Sequence, residues 1–286
     1  MFEERNIVED ADRRIHDEVF IQSIDRRERI TRFLIANLGI DDAGARDEEA
    51  ASDILCQLLR EENPVADDIL EDAMVFLSEQ EDYIPEPMRE AGESRVISFY
   101  NREKAKQYID TYWKKYNPAY PSYSHGGGDC TNFISQVLYA GGIPWVDDGN
   151  PANHKKGSNW YCKPGATSKD SERRVTFSWK IAAVFKAHFI KRVGEHKIYS
   201  YAEAIANINN LSGEIYIGDV VQFCYSSGVP YHTLAVTGFN RDPEYHIKDI
   251  VLASHDVDSN TRSLYRTMLK YPSDYRLRVY NIKKGP

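Results

Sequence analysis

The sequence predicts an α+β protein, in which helices pack on an antiparallel sheet and a small all-α region stands in front. Three observations carry this prediction. Apolar residues recur at helical spacing through the first 92 residues. After Gly218-Asp219 the period shortens, and VVQFCY, HTLAVTGF, DIVLASH and LRVYNI read as short β-rich segments separated by turn signals. Charge divides the chain as well. Residues 1–92 hold 26 acidic residues against ten arginines and no lysine, a net −16, whereas 93–286 carry +8. Helices first and strands later fit an α+β unit, and the charge break fits two units of different character, 1–92 and 93–286.

In the acidic region, Ile15, Val19, Ile24, Ile30, Phe33, Leu34 and Leu38 give a first helical stripe. Ile54, Leu55, Leu58 and Leu59 give a second, and Ile69, Leu70, Ala73, Phe76 and Leu77 a third. Pro85, Pro87 and Gly92 then read as a linker. The region reads as a solvated helical bundle or as a partner-binding or regulatory module, and nothing in it looks catalytic. In the second unit, Ala105, Tyr108, Ile109, Tyr112 and Tyr116 mark an amphipathic helix with a tyrosine face suited to core packing. Asn117-Pro118 ends it, and a glycine-rich loop leads to Asp129-Cys130. Thr131 to Ala140 reads as a helix that buries Phe133, Val137 and Leu138 and stops at Gly141-Gly142. Residues 145–175 read as loop, and Trp179 to Ile190 as one further helix.

Composition narrows the function. At 42% hydrophobic the chain is ordinary for a globular protein, and no apolar run approaches the ~18 residues of a membrane span. The start MFEERN lacks the cationic, apolar build of a secretory signal, which reads as cytoplasmic as given, with export by another route left open. The acidic balance and scattered basic residues argue against nucleic acid as partner. The four cysteines, Cys56, Cys130, Cys162 and Cys224, form no CxxC pair and no zinc-finger spacing, so neither a structural zinc nor a disulfide framework is expected. Cys56 and Cys224 sit in apolar surroundings and read as small hydrophobes.

Cys130 differs. It follows Gly126-Gly127-Gly128 and opens a helix, where free backbone N–H groups and the helix dipole favour a thiolate and could hold an oxyanion. His232 opens the strand segment HTLAVTGF; it shares a face with Leu234 and Val236, while Thr233 and Ala235 share the other. Facing the helix start it would act as base and then acid; the alternative is a packed strand-end histidine. A third group should orient the imidazole. His255 in DIVLASHD is favoured, Asp256 is the alternative, and Asn260 is weaker.

The stretches Tyr100-Asn-Arg, Asn117-Pro-Ala-Tyr, Gly127-Gly-Asp-Cys-Thr-Asn-Phe-Ile-Ser-Gln and Ala140-Gly-Gly-Ile-Pro resemble the bacterial "putative amidase domain" family. Asn159-Trp160-Tyr161, Ser178-Trp179, Gly218-Asp-Val-Val-Gln-Phe and Tyr231-His-Thr continue the resemblance in order, over about residues 98–260. The family is similar to the NlpC-type and CHAP cysteine peptidases. The resemblance therefore implies a papain-like core, Cys130 as nucleophile, His232 as base and a third polar group on the next strand, which His255 fits. Asp129, Tyr123, Trp160 and Trp179 are expected near the substrate: Asp129 matches the family's Gly-Asp-Cys pattern and otherwise reads as a helix cap or loop brace, Tyr123 or Tyr120 would help to hold the oxyanion, and Trp160 and Trp179 would matter most in a binding module. No metal or organic cofactor is implied.

The resulting expectation is a thiol-dependent hydrolase that cleaves an amide bond, in a peptide or a peptidoglycan stem peptide, through an acyl-enzyme on Cys130. The other reading is a catalytically inactive papain-like module that binds a cell-wall or protein partner. The acidic helical region is expected either to bind a partner or to cover the more basic unit.

Overall fold

The computed structural model describes residues 13–59, 69–81, 83–85, 97, 99–124, 128–193 and 195–282, together with the backbone of 2–12 and 60. The expected linker at Pro87 and Gly92 and the glycines Gly126 and Gly127 lie outside the described residues.

The acidic region folds as helices, as its stripes predict: α1 (Phe2–Leu38), α2 (Asp42–Arg46), α3 (Glu48–Arg60) and α4 (Leu70–Glu79). Ile30, Phe33 and Leu34 of α1 join Leu55 and Leu58 of α3 and Ala73, Phe76 and Leu77 of α4 in one buried cluster. Next come α5 (Arg102–Tyr112) and α6 (Asp129–Ala140). Asn101 caps α5 by accepting from the Lys104 N–H at 2.9 Å. The expected Trp179–Ile190 helix is two helices, α7 (Phe177–Lys180) and α8 (Ala182–Phe189). Ile181 between them has an extended backbone, φ −112° and ψ 123°, which breaks the helical path.

The rest of the chain builds the sheet: β1 (Glu195–Ser200), α9 (Tyr201–Ala206), α10 (Ile208–Glu214), β2 (Val220–Cys224), β3 (Pro230–Arg241), β4 (Lys248–Ser254), β5 (Ser259–Ser263), α11 (Leu264–Met268) and β6 (Arg276–Asn281). The six strands run in the order β1-β6-β2-β3-β4-β5, every neighbour antiparallel. The fold is therefore α+β, as the change of period predicts.

Alternation along the strands feeds two cores, one on each face. Val220, Ala235, Ala253 and Tyr280 meet α5, α6 and α8 through Ile109, Phe133, Val137, Phe185 and Phe189. Val221, Phe223, Leu234, Val236, Leu252 and Val279 meet α9–α11 through Tyr201, Ile208, Leu211, Leu264 and Met268. No described helix is long and apolar enough to cross a membrane.

Candidate active site at the start of helix α6

The start of α6 is held in place from several directions. Asp129, fully buried, accepts from the Tyr123 N–H at 2.7 Å and from Asn132 Nδ2 at 3.0 Å. Its other oxygen lies 2.6 Å from His255 Nδ1. His255 Nε2 lies 2.8 Å from the Tyr112 carbonyl oxygen, and its ring stacks on Phe133 at 4.0 Å between centroids. Asp129 is thus a brace, and His255 joins that brace to α5. His255 falls just beyond β4, which ends at Ser254, so it does not follow the strand alternation.

The motif residues of α6 each meet a partner far along the chain. Thr131 Oγ1 lies 2.9 Å from Thr233 Oγ1, which accepts from Gln222 Nε2 at 3.0 Å. Gln222 Oε1 accepts in turn from the Tyr280 hydroxyl at 2.7 Å. Asn132 Oδ1 accepts from Trp179 Nε1 at 2.9 Å, and Ser135 Oγ accepts from Trp160 Nε1 at 3.1 Å. The other motifs pair likewise. The Tyr100 hydroxyl donates to the Gly218 carbonyl at 2.9 Å, and Arg102 forms a 2.8 Å ion pair with buried Asp219.

Cys130 lies on the floor of a cleft of about 340 Å³, at 4% exposure. Thr131, Lys180, Ile181 and Tyr231 line the same cleft, and α1 and α4 roof it with Val19, Gln22, Asp25, Arg26, Asp72 and Val75. Its backbone N–H, expected to be free for an oxyanion, donates to Asp256 Oδ2 at 2.8 Å. The Thr131 hydroxyl lies 3.7 Å from the sulfur, and Thr131 and Thr233 favour the thiolate, yet burial, followed by the nearby Asp256 carboxylate, pushes the thiol up to about 12. Burial thus opposes the thiolate expected at this helix start, and the Asp256 carboxylate on the Cys130 N–H adds to that opposition.

Asp256 is the titratable neighbour of Cys130. Burial and the charge of Asp129 raise its carboxyl to about 7, against the pull of the Cys130 N–H. Its Oδ1 is buried without a hydrogen-bond partner. Its backbone is left-handed, φ 74°, a conformation that Asp tolerates better than most residues.

His232 makes no hydrogen bond to Cys130. It pairs in register with Phe223, and the two rings are 6.3 Å apart between centroids. Phe223 and Leu234 belong to the α9–α11 core, so His232 shares that face, and Thr233 is the β3 residue that meets the start of α6, through Thr131 beside Cys130. Both ring nitrogens of His232 lack a hydrogen-bond partner, and burial, with Arg262 nearby, holds the ring well below its ordinary pKa. The alternation read from the sequence is correct, but the face it presents to α6 is the other one.

Trp160 and Trp179, expected near the substrate, are fully buried in the α6 core with their indole N–H groups used. Tyr123 stays at the surface of this region, half-buried, with Lys180 Nζ 5.3 Å above its ring. Asn260 is half-buried on β5. Sequence reasoning missed Thr233 as the β3 residue that meets the start of α6, Asp256 as the cap of α6, and α1 as the roof. Thr233 carried a signal, because it alternates with His232; the other two needed the tertiary structure.

Fold and site together define an α+β protein with a cysteine at a helix start, under a cleft closed by the chain's own amino-terminal helices. The chain belongs to the family described as "Putative amidase domain", which matches residues 99–280. It is also similar to "Uncharacterized protein YhbB" of Bacillus subtilis (strain 168), 39% identical over 89 residues. That similarity covers 31% of this chain and 24% of the relative, so it spans about a quarter of the relative's length. No solved structure matches the chain.

Proposed function

We propose that the chain hydrolyses an amide bond through an acyl-enzyme on Cys130, in a papain-like core of the NlpC type. The substrate is a peptide or a peptidoglycan stem peptide, by the family resemblance alone. The observation that carries this reading is the pairing of a cleft-floor cysteine at a helix start with a carboxyl raised to about 7 beside it. A carboxyl in that range can both accept and return a proton at neutral pH.

The reaction begins when a substrate carbonyl displaces Asp256 from the Cys130 N–H. The Asp256 carboxylate takes the thiol proton as sulfur attacks, and the C–S bond forms. The freed N–H holds the oxyanion. The C–N bond then breaks, and Asp256 returns its proton to the departing amine. Water cleaves the thioester with Asp256 again as base. His255 does not transfer a proton in this scheme; it fixes Asp129 and thereby the helix start.

The test compares Cys130→Ala, Asp256→Asn and His232→Gln on a panel of peptides and purified cell-wall fragments. Cys130→Ala should abolish turnover, Asp256→Asn should lower it by two orders of magnitude or more, and His232→Gln should leave it within a few-fold. Parent-like turnover in Cys130→Ala rejects the reading. Loss in His232→Gln with retention in Asp256→Asn transfers the base role to His232 and means that β3 rearranges before catalysis.

A second reading is favoured by the protonated, covered thiol: a catalytically inactive module that binds its partner through the cleft. Iodoacetamide labelling separates the two, since a cysteine that stays unlabelled at neutral pH while the full chain is folded and partner-bound supports the binder.

A further inference from the structure

Helix α1 has two halves with different attachments. Ile30, Phe33 and Leu34 anchor its second half in the helical cluster with α3 and α4. The half before Arg29 leaves that cluster and crosses the cleft above Cys130, with Val19, Gln22, Asp25 and Arg26 in the roof. Beyond the cleft this half meets the sheet unit through Ile15, buried with Val257, through Val19 and Phe20, and through the His16 ring. His16 stands among four tyrosines, with ring centroids 4.9 Å from Tyr225, 5.2 Å from Tyr231, 5.8 Å from Tyr271 and 5.8 Å from Tyr275. Its Nε2 lies 2.9 Å from the Tyr275 hydroxyl, and the Tyr225 hydroxyl donates to its carbonyl oxygen at 2.5 Å.

The box is continuous with the cleft, because Tyr231 lines both. All four tyrosines belong to the sheet unit, so the box is built without α1. Its chemistry favours a cation. Aromatic faces attract positive charge, and a ring of them is a known way to hold an ammonium group. Acidic groups add to the field: Glu79 acts on Tyr225 and Asp274 on Tyr275. The hydroxyls of Tyr225 and Tyr275 are within reach of what the box contains, as His16 demonstrates.

We propose that the four-tyrosine box is a subsite for a cationic amine group of the substrate, and that α1 fills it with the His16 ring, closing the cleft from within the same chain. The assignment of a substrate group to the box rests on the amide-hydrolase reading of Cys130. Binding to the box does not. Substrate entry then requires the first half of α1 to leave the box while its second half stays anchored.

The experiment uses the full-length chain and choline as the probe, with 3,3-dimethylbutan-1-ol as its neutral isostere. His16→Ala should bind choline at least tenfold more tightly than the parent, by tyrosine fluorescence or NMR, and should not bind the neutral isostere. Adding Tyr275→Ala should remove that binding, whereas adding Tyr275→Phe should keep it within a few-fold, since the ring remains. A second measurement needs no variant: saturating choline should speed iodoacetamide labelling of Cys130 in the parent about threefold or more, by competing with His16. Equal choline affinity in parent and His16→Ala, equal binding of the isostere, or labelling indifferent to choline would overturn the proposal. An inactive chain that still binds choline in this pattern refutes only the amidase reading, and an active one that does not refutes only the box.

Discussion

At Cys130 two effects compete for the thiol proton. A helix N-terminus stabilises a negative charge by about 0.3–2 kcal/mol, roughly one pKa unit. Full burial can raise a thiol by several units, and Asp256 acts in the same direction as burial. Burial wins, and the thiol is held up at about 12. Asp256→Asn removes the added carboxylate while keeping an acceptor for the Cys130 N–H. Iodoacetamide labelling at pH 8 should therefore become faster in this variant, by up to about tenfold for each unit the thiol falls, even as turnover drops. Slower labelling would mean that the carboxylate does not act on the sulfur. Stability gives a second readout. The folded carboxyl titrates near 7, above the ~3.9 of an unfolded Asp, so its contribution is full below about pH 4 and is lost as pH rises through 7. Asn has no such dependence. Asp256→Asn should thus gain on the parent in unfolding free energy between pH 5 and pH 8, by less than the ~4 kcal/mol that three full units would carry, because the side chain is half-buried and partly screened. An unchanged difference across that range would contradict the raised carboxyl.

Among the elements, α6 is the one that the sequence describes best and explains least. Its apolar stripe of Phe133, Val137 and Leu138 is legible from spacing alone, and all three are buried. The polar residues between them are not legible, because their partners come from far along the chain: Trp179 for Asn132, Trp160 for Ser135. For the same reason the tryptophans read as a substrate surface when they are core. The helix pair α7–α8 reads as one element because Ile181 carries no breaker signal. Strand β1, Glu195–Ser200, escapes notice because it is a sheet-edge strand that buries little and so lacks a strong alternation. For β3 the alternation is readable, but a period of two cannot say which face meets α6. The pairing of Asn132 with Trp179 makes a measurable claim. Asn132→Ala leaves the buried Trp179 N–H without its acceptor, and should cost about 1–3 kcal/mol by urea unfolding. Loss below ~0.5 kcal/mol would remove Asn132 as a structural tie. At the other end of α6, a Cβ on Gly141 would overlap the Tyr100 ring, whose hydroxyl holds Gly218. Gly141→Ala should destabilise by about 1–3 kcal/mol. A neutral result would show that Tyr100 repacks freely.

On the scale of the molecule, the helical region and the sheet unit meet in two unlike ways. The first half of α1 touches the sheet unit through ring contacts around His16 and Tyr225 and through a small apolar contact of Ile15 and Val19 with Val257. By contrast, α4 is built in. Val75 packs with Phe177, Ala183 and Val184, and beyond α4 Glu81 pairs with the buried Arg278 of β6 at 2.7 Å. Lys186 of α8, fully buried, donates to the Glu79 and Gln80 carbonyls at 3.2 and 2.7 Å, which belong to the end of α4. Carbonyls at a helix end have no partner within the helix, so Lys186 supplies two of the missing donors. If α1 is to open, α4 is the fixed frame against which it moves, and Lys186 is the test of that frame. Burial, with Arg278 nearby, lowers the Lys186 ammonium to about 8, below the 10.5 of a free lysine. A lowered lysine costs stability while the folded chain must stay protonated, and the cost is relieved as pH rises from about 8 towards 10.5. The parent should therefore gain stability over that window, by up to about 3 kcal/mol for the full shift. Lys186→Met fills the same volume without a charge or a donor. It should be less stable than the parent by about 1–3 kcal/mol at pH 9, because two buried carbonyls lose their partner, and should lack the rise from pH 8 to 10. Thermal unfolding of the two chains across that range decides the matter. A variant that melts with the parent at every pH would mean that α4 is not held by this contact, and that its frame rests on Val75 and on the Glu81–Arg278 pair instead.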